Sequence, residues 1–212
     1  MTPKVTIIDY GAGNLHSAAN AFLRLGAEVE LVEDAKSVET ARCLVLPGVG
    51  AFGEGMAGLH RRGLVEPLRA YAASGRPLLG ICLGAQLLME DSEEFGRHEG
   101  LGIVPGAVRL LSQEGVKVPH VGWRQIFPAA KDAWAGTLLA ATPPQTWAYF
   151  VHSFQCAPAH PRFSCALATY GGHTITAAVR RDAVVGVQFH PEKSGVFGLS
   201  MLRALLDSTF SP

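Results

Sequence analysis

Strand and helix signals alternate through the first half of the chain, and this order limits the folds that the chain can adopt. Apolar runs at residues 5–9, 28–32 and 43–46 have the length of buried strands, and residues 14–25 have a helical pattern that Gly26 ends. A repeated β-α-β order predicts a parallel sheet with helices on both faces. Ligands of such sheets bind beyond the carboxyl ends of the strands, so motifs at strand ends are the first candidates for a site.

The same order continues as far as the middle of the chain. A glycine-rich loop at residues 47–55 precedes a helix that we expect to run to about Ala73, and the breaker SGRP occupies residues 74–77. Residues 78–81 then form a short apolar strand, and residues 83–90 a helix.

The second half has a different pattern. Four segments rich in Val, Thr, Ala and aromatic residues read as short strands, and a closing helix follows them; these are residues 147–154, 163–169, 173–180 and 184–190, and then 197–208. Turn residues between the segments predict antiparallel strands added to the sheet. The expected fold class is therefore α/β, with a mostly parallel central sheet, and residues 1–212 are expected to form a single domain.

Composition narrows the classes of function. Apolar residues make up 48% of the chain and charged residues 17%, which is typical of a compact globular protein. The 18 basic and 18 acidic residues balance, so no overall field attracts nucleic acid or an anionic membrane. We find no export signal and no apolar run of about 18 residues, and we expect a cytoplasmic protein. The histidine and cysteine spacings predict no metal site, and no cofactor is expected.

The segment that carries the most chemical information is an apolar strand that runs directly into a helix, with a cysteine at the junction. Residues 80–84 read GICLG, so Gly80 and Gly84 flank Cys82 at two residues on each side. This spacing is what a nucleophile elbow needs, because the sharp turn leaves no room for side chains beside the sulfur. A cysteine at a helix N-terminus also gains from unpaired backbone N–H groups, which favour the thiolate.

The alternative interpretation of a free cysteine is a small buried hydrophobic residue. We adopt this interpretation for Cys43, Cys156 and Cys165, which lie inside apolar strand patterns. For Cys82 the paired glycines favour a nucleophile, which still requires a base and a group to orient that base.

A histidine and a glutamate at the end of a hydrophobic strand are candidates for the base and for the group that orients it. In an extended chain, residues two apart point to the same side, so His190 and Glu192 are predicted to project together. Pro191 fits the terminus of a strand, where its missing N–H costs little. The carboxylate can then hold the imidazole tautomer while the other ring nitrogen faces the thiol. A His-x-Glu pair alone is more often a solvated strand end, but the cysteine elbow makes it a candidate triad.

These motifs resemble those of the class I glutamine amidotransferases. The likeness rests on GICLGAQ at residues 80–86 and FHPE at residues 189–192, and it extends across nearly the whole chain. LPGVGAF at residues 46–52 is similar to the oxyanion loop of that family. The resemblance implies that N–H groups of Val49 or Gly50, together with that of Leu83, stabilise the oxyanion. A mere turn or a phosphate cradle is the alternative, but the loop lacks the Lys-Ser/Thr ending of a Walker-type site.

Further segments narrow the resemblance to the glutaminase subunits of imidazole glycerol phosphate synthase, from histidine biosynthesis. They are DYGAGN at residues 9–14, PHVGW at 119–123, YFVHSF at 149–154, and the Lys-Ser pair after Glu192. That group usually has Asn where this chain has Arg124. The resemblance implies a heterodimer with a cyclase subunit, which uses the ammonia to make imidazole glycerol phosphate and an aminoimidazole carboxamide ribotide.

The resemblance also assigns residues outside the triad. Gln86 lies one helical turn after Cys82 and would help to bind the substrate glutamine. The alternative interpretation of Gln86 is an exposed residue on the surface of the helix. Further substrate contacts are expected from Gly48, Tyr149 and Ser153. The positions expected to face the cyclase are Asn14, Trp123 and Lys193, whose alternatives are a loop cap, a core tryptophan and a solvated lysine.

The predicted reaction is hydrolysis of the glutamine side-chain amide through a cysteinyl thioester. Three alternatives stay open at this stage. A cysteine peptidase or esterase would use the same elbow and triad logic, a regulatory binding module would keep the fold without the chemistry, and a glutaminase of another pathway would serve a different synthase.

Overall fold

The structure, a computed structural model, describes residues 2–208. In chain order the strands are β1 (Lys4–Ile8), β2 (Glu28–Val32), β3 (Leu44–Gly48), β4 (Leu78–Cys82), β5 (Asp91–Ser92), β6 (His98–Glu99), β7 (Gly106–Leu110), β8 (His120–Pro128), β9 (Thr146–His152), β10 (Phe154–Pro158), β11 (Ser164–Tyr170), β12 (His173–Arg181) and β13 (Val184–Val187). The α-helices are α1 (Leu15–Arg24), α2 (Ala35–Thr40), α3 (Phe52–Arg61), α4 (Val65–Ala73), α5 (Leu83–Leu87) and α6 (Gly195–Ser208). Short 3-10 helices occupy Pro161–Phe163 and Pro191–Lys193.

The main sheet has the strand order β2-β1-β3-β4-β13-β12-β11-β8-β9. The first five strands of this order pair in parallel, and the remaining pairs are antiparallel. The predicted fold class, a mostly parallel α/β sheet with antiparallel strands added from the second half, is confirmed. Apolar residues pack on both sides of the sheet, one cluster with α1 and α6 and the other with α2, α3, α4 and α5.

Three neighbouring parallel strands end together at the edge of the sheet where the candidate motifs lie. The register pairs Gly48 of β3 with Cys82 of β4, and Val187 of β13 with Ile81 of β4. The glycine-rich loop, the cysteine and the chain that leads to His190 therefore emerge side by side. In the part of the chain that the structure describes, no helix is long and apolar enough to cross a membrane.

Two helix predictions are wrong in extent. The helix expected to run from the glycine-rich loop to Ala73 is two helices, because the chain turns at Gly63, whose φ of 64° suits only glycine well. The helix expected over residues 83–90 ends at Leu87, because the carbonyls of Leu87 and Leu88 accept hydrogen bonds from the loop at residues 101–104. The short helix α2 was not predicted.

Two strand predictions are also wrong in extent. Residues 147–154 are not one strand, since β9 ends at His152 and β10 joins a separate four-stranded sheet, β10-β7-β5-β6. The Ser153 carbonyl marks the switch, because it accepts from the Leu111 N–H beside that second sheet. The strand expected over residues 184–190 ends at Val187, and the chain then crosses toward β9, where the His190 N–H donates to the Tyr149 carbonyl over 2.9 Å.

Candidate active site

Cys82 stands at a strained turn between β4 and α5. Its backbone has φ 54° and ψ −109°, a conformation that non-glycine residues rarely adopt and that recurs at active sites. A Cβ atom on Gly84 would lie 1.7 Å from the Leu46 carbonyl oxygen, and one on Gly80 would lie 2.8 Å from the Gly84 carbonyl oxygen. Neither position has room for a side chain, which is the physical reason for the glycine spacing.

His190 and Glu192 come together, although not in the way that the sequence suggested. The strand has already ended, and a 3-10 turn over Pro191–Lys193 folds the two side chains onto each other. The His190 Nδ1–H donates to Glu192 Oε1 over 2.7 Å, and both side chains are almost fully buried. The prediction of extended, same-side projection is therefore wrong, whereas the contact that it was meant to explain is present.

The backbone of His190 is fixed from two sides. The Ser194 hydroxyl donates to the His190 carbonyl over 2.7 Å and accepts from the Tyr149 N–H over 3.0 Å. These contacts tie the turn to strand β9, so the imidazole is held by buried hydrogen bonds rather than by a flexible loop.

The electrostatic surroundings of His190 favour its protonated form. Burial acts most strongly and by itself lowers the pKa, but the nearby Cys82 sulfur and the hydrogen-bonded Glu192 carboxylate act in the opposite direction, and together they raise the pKa to about 9. Among residues 2–208, no atom accepts from or donates to His190 Nε2 at normal hydrogen-bonding distance. This nitrogen is therefore available to exchange a proton with a bound molecule.

Cys82 opens into a cavity of about 270 Å³ that can hold a small amino acid. It is lined by Val49, Gly50, Cys82, Leu83, Gln86, Glu94, Val151, His152, Ser153, Phe154 and His190. Of the predicted site residues, Glu192 lies behind His190, outside the lining. Gly48 and Tyr149 do not line this cavity either, so the expected direct substrate contacts of these two residues stay predictions.

Gln86 is buried, not the exposed helix residue of the alternative interpretation. Its amide donates to the Phe154 carbonyl over 2.9 Å and to Gln188 Oε1 over 3.1 Å. The Gln188 amide in turn donates to Cys82 Sγ over 3.7 Å. Gln188 was missed by sequence analysis, although its place two residues before His190 could have revealed it.

The glycine-rich segment lies beside the cysteine in the lining of the cavity. Gly50 has a φ of 110°, which glycine adopts readily and other residues rarely do. Val49 is exposed and lines the cavity. Behind them Gly48 packs so closely on Tyr10 that a Cβ atom would lie 2.2 Å from the tyrosine hydroxyl. Gly48 therefore shapes the segment, while Val49, Gly50 and Leu83 line the cavity.

Two titratable residues that line the cavity were not predicted. Glu94 is the one carboxylate in the lining, and its Oε2 accepts from the Phe52 N–H over 2.7 Å. The acidic run at residues 90–94, directly after the nucleophile helix, was the signal that could have found it. His152 is buried and pairs with buried His120, whereas both were assigned only surface or structural roles.

The three residues expected to face a partner lie in different elements: before α1, in β8 and in the 3-10 turn after His190. Asn14 is the N-cap of α1, where its side chain accepts from the Ser17 N–H. Trp123 is 44% exposed, which contradicts the core interpretation, and its ring contacts Tyr149 edge to face. The Lys193 ammonium lies 5.9 Å from the centre of the Tyr149 ring.

The three other cysteines are buried, as the alternative interpretation expected. Burial raises the pKa of Cys43 to about 12, that of Cys156 to about 12 and that of Cys165 to about 11, so each stays a thiol. Within residues 2–208, no three His, Cys, Asp or Glu side chains are grouped so that they could hold a metal ion.

Known proteins are similar to this chain over nearly its whole length. The family model described as glutamine amidotransferase class-I matches residues 6–207. The chain is 44% identical to imidazole glycerol phosphate synthase subunit HisH 1 of Legionella pneumophila (strain Lens), over 95% of this chain and 98% of that protein. It is 45% identical to subunit HisH of Acaryochloris marina, over 97% of this chain and 94% of that protein.

Solved structures agree with the fold. PurLQS from Thermotoga maritima superposes with a TM-score of 0.75 at 18% identity, covering 98% of this chain and 99% of that chain. A glutamine amidotransferase from Thermotoga maritima superposes with a TM-score of 0.64 at 15% identity, covering all of both chains.

Proposed function

This chain belongs to the class I glutamine amidotransferase family, and from that premise we propose that Cys82, His190 and Glu192 are its catalytic triad. The activity is that of a glutaminase, and the likeness to HisH subunits over nearly the full length makes the chain a subunit of imidazole glycerol phosphate synthase in histidine biosynthesis. We further propose that residues 1–212 form one domain and that the protein is cytoplasmic. The observation that carries the triad is the strained Cys82 elbow, which opens into the same cavity as a His190 held by Glu192.

In the first half of the reaction, the Cys82 thiolate attacks the carbon of the glutamine side-chain amide. The negative charge then moves to the amide oxygen, where N–H groups of Leu83 and of Val49 or Gly50 stabilise it, and loss of one such donor commonly costs about 10²-fold or more in rate. His190 Nε2–H gives its proton to the nitrogen, the C–N bond breaks and ammonia departs. The enzyme is left as a γ-glutamyl thioester with a neutral imidazole.

In the second half, a water molecule attacks the thioester carbon. Neutral His190 removes a proton from that water, and collapse of the second oxyanion releases glutamate and restores the Cys82 thiolate and the imidazolium. Glu192 holds the Nδ1–H tautomer in both halves, because its Oε1 accepts from Nδ1 over 2.7 Å. The net reaction converts glutamine and water into glutamate and ammonia.

The cavity lining offers polar groups to an amino acid. The Glu94 carboxylate is placed to pair with the substrate α-ammonium, and the Ser153 region offers a hydroxyl for its polar groups. Gln86 is committed to Phe154 and Gln188 through its amide nitrogen, so we propose that it shapes the pocket and that its carbonyl oxygen faces the substrate amide.

We propose that the ammonia passes to a cyclase subunit that docks on the outer face of β8 and β9. The outward residues of this ribbon are apolar except Gln125, and they pair across the two strands, Val121 with Val151 and Trp123 with Tyr149. Val151 also lines the glutamine cavity, so this apolar surface is continuous with the site. An exposed apolar surface beside a catalytic cavity is a typical protein interface. Lys193 borders this surface beside Tyr149 and is placed to form an ion pair with the partner, whereas Asn14 lies beside His190 and Glu192.

A glutaminase assay with and without the cyclase tests both parts of this proposal. We expect ammonia and glutamate in equal amounts, with a rate that rises when the cyclase and its ligand are added. A γ-glutamyl adduct should be trapped on Cys82 and identified by peptide mass spectrometry. An adduct on another cysteine would refute the nucleophile, and full activity of the lone chain would refute the dependence on a partner.

A further inference from the structure

Two buried histidines connect the ribbon of β8 and β9 to the wall of the cavity. His120, the first residue of β8, lies opposite His152, the last residue of β9, and they are 0% and 6% exposed. Their ring nitrogens His120 Nδ1 and His152 Nε2 are 3.0 Å apart. The other nitrogen of His152, Nδ1, is 2.8 Å from the Phe154 carbonyl oxygen.

The direction of these hydrogen bonds follows from the carbonyl group. A carbonyl oxygen only accepts, so His152 Nδ1 carries the proton and donates to Phe154. Burial lowers the pKa of His152 to about 4 and that of His120 to about 3, so both rings are neutral near pH 7. His152 Nε2 then has only a lone pair and accepts, so His120 Nδ1–H is the donor. His120 Nε2 is left as a bare acceptor, and among residues 2–208 it has no hydrogen-bond partner. Each ring is thus in one defined tautomer.

The chain of hydrogen bonds continues to the nucleophile. The Phe154 carbonyl that accepts from His152 also accepts from the Gln86 amide over 2.9 Å. Gln86 is bound to Gln188, whose amide lies 3.7 Å from Cys82 Sγ. His152 and Phe154 themselves line the cavity. A rotation of the His152 ring would thus disturb the acceptor that orients Gln86 and change the shape of the pocket.

The ring of His120 is locked in place by stacking. Its centroid lies 5.1 Å from that of Phe150 and 4.1 Å from that of Tyr170, with interplanar angles of 26° and 27°. The guanidinium of Arg124 lies 5.1 Å from the Tyr170 ring. His120 therefore has two separable properties, an aromatic ring that packs and an Nδ1–H that donates.

We propose that His120 is a positioning residue for the glutaminase reaction, and that its Nδ1–H fixes the His152 ring and through it the Phe154 carbonyl and the Gln86 carboxamide. The inference rests on the proposed function, because it requires that the cavity beside Cys82 binds glutamine. His120 does not touch the substrate, so its effect should fall on the affinity for glutamine more than on the chemical step.

Two substitutions separate the donor from the ring. His120→Phe keeps an aromatic ring against Phe150 and Tyr170 but removes the donor, whereas His120→Asn places an amide N–H where Nδ1–H was and removes the ring. In the complex with the cyclase, we expect His120→Phe to raise KM for glutamine about tenfold with kcat changed less than threefold, which is the loss of about one buried hydrogen bond. His120→Asn should keep KM within about threefold of the wild type, while its thermal stability falls more than that of His120→Phe.

A purely structural role predicts the reverse order, with KM following stability. The proposal is therefore overturned if His120→Phe keeps the wild-type KM, or if folded His120→Asn raises KM as much as His120→Phe. Cys82→Ala in the same assay distinguishes failure of the proposed function from failure of the His120 proposal. Turnover by Cys82→Ala would refute the proposed triad, whatever the His120 variants show. If His120→Phe is not recovered folded, nitrogen-15 NMR of the wild-type histidines decides. The neutral Nδ1–H tautomer of His152 supports the proposal, and the Nε2–H tautomer or a charged ring overturns it.

Discussion

At the scale of single residues, the site concentrates conformational strain and buried charge in a few positions. A non-glycine residue with the backbone of Cys82 costs of order 1–3 kcal/mol, and a buried carboxylate such as Glu192 is costly unless it is paired. The fold tolerates both because β4, α5 and the 3-10 turn after His190 hold these residues from several sides. Such costs persist only where the surrounding packing overrides them, which is what makes these positions sensitive to substitution.

Cys82→Ala should abolish ammonia release, by about 10⁴-fold or more, while the chain stays folded. Alanine can adopt the backbone conformation of the elbow about as well as cysteine can. The circular dichroism spectrum and the affinity for the partner should therefore change little. Cys156→Ala is the matched control, since Cys156 is equally buried in the neighbouring core but outside the cavity lining. It should keep kcat within about threefold, and a comparable loss of activity in the control would show that packing, not nucleophilicity, explains the effect.

His190→Asn and Glu192→Gln should differ in severity. His190→Asn removes the proton carrier and should lower kcat by about 10⁴-fold or more. Glu192→Gln leaves the imidazole in place but holds it less well, so the loss should be one to two orders of magnitude smaller. Steady-state kinetics at saturating glutamine measures this order. Wild-type turnover by Glu192→Gln would reduce the triad to a Cys82-His190 dyad.

The buried pair of histidines should make stability depend on pH in the acidic range. Burial, the largest influence, lowers the pKa of His120 to about 3 and that of His152 to about 4, each below the unfolded value near 6.5. The charged groups that face the pair, Arg124 and protonated His190, act in the same direction. The stabilisation from keeping both rings neutral is therefore complete above about pH 6.5 and is lost as the pH falls toward 4 and 3.

Urea unfolding at several pH values measures this dependence. Between pH 7 and pH 5 the free energy of unfolding of the wild type should fall by about 1–2 kcal/mol more than that of His120→Phe. The variant lacks the His120 imidazole, whose pKa is lowered by folding. Equal slopes for the two proteins would mean that His120 titrates normally in the fold.

At the scale of elements, the elbow depends on the absence of two side chains. A Cβ atom on Gly84 meets the Leu46 carbonyl at 1.7 Å, so β3 or α5 would have to move. Gly84→Ala should therefore destabilise the protein by about 3 kcal/mol and displace Cys82 enough to remove most activity.

Gly55→Ala is the matched control for Gly84→Ala. Gly55 lies inside α3, and its added Cβ would approach the flexible methyl groups of Leu87 at 3.2 Å. The gain in helix propensity offsets this tight contact, so stability should change by less than about 1 kcal/mol. Chemical unfolding of both variants tests the comparison, and equal destabilisation would show that crowding at the elbow is not special.

How much of these elements can be predicted follows from the range of the forces that form them. The strand at Glu28–Val32 and the helix with Asn14 as its cap follow from local patterns, and both match the structure. The end of α5 at Leu87 and the switch of the chain between sheets at Ser153 depend on partners that are distant in sequence. Local periodicity carries no information about such partners, so these boundaries were missed.

The same limit applies to the site. Cys82 and His190 were found because glycine spacing and residue type record their chemistry in the sequence itself. Glu94, Gln188 and the pair of His120 and His152 act through positions that only the folded sheets create. The acidic run around Glu94 and the place of Gln188 two residues before His190 are weak signals, because many ordinary polar residues share them.

At the scale of the whole molecule, the ribbon of β8 and β9 at one edge of the main sheet joins the wall of the catalytic cavity to an exposed apolar surface. The ribbon of β8 and β9 presents Trp123 and Val121 outward, and His120 inward toward the cavity wall. The opposite edge, β2, has no part in the cavity. A partner on the β8–β9 ribbon would therefore contact the same strands that hold the pocket, whereas a partner on β2 would not.

Trp123→Ala should weaken the complex with the cyclase about 30-fold, because a large aromatic side chain that becomes buried at an interface typically contributes about 2 kcal/mol. Leu31→Ala is the matched control, since Leu31 on edge strand β2 is 49% exposed against 44% for Trp123. Titration calorimetry with the cyclase should give the control a Kd within twofold of the wild type. Equal affinities of the Trp123 and Leu31 variants would move the docking surface away from this ribbon.

Lys193→Ala should have a smaller effect on the Kd for the cyclase, and this effect should fade at high salt, as expected for an exposed ion pair. Loss of cyclase stimulation in Lys193→Ala without loss of affinity would show that Lys193 acts in activation instead of assembly.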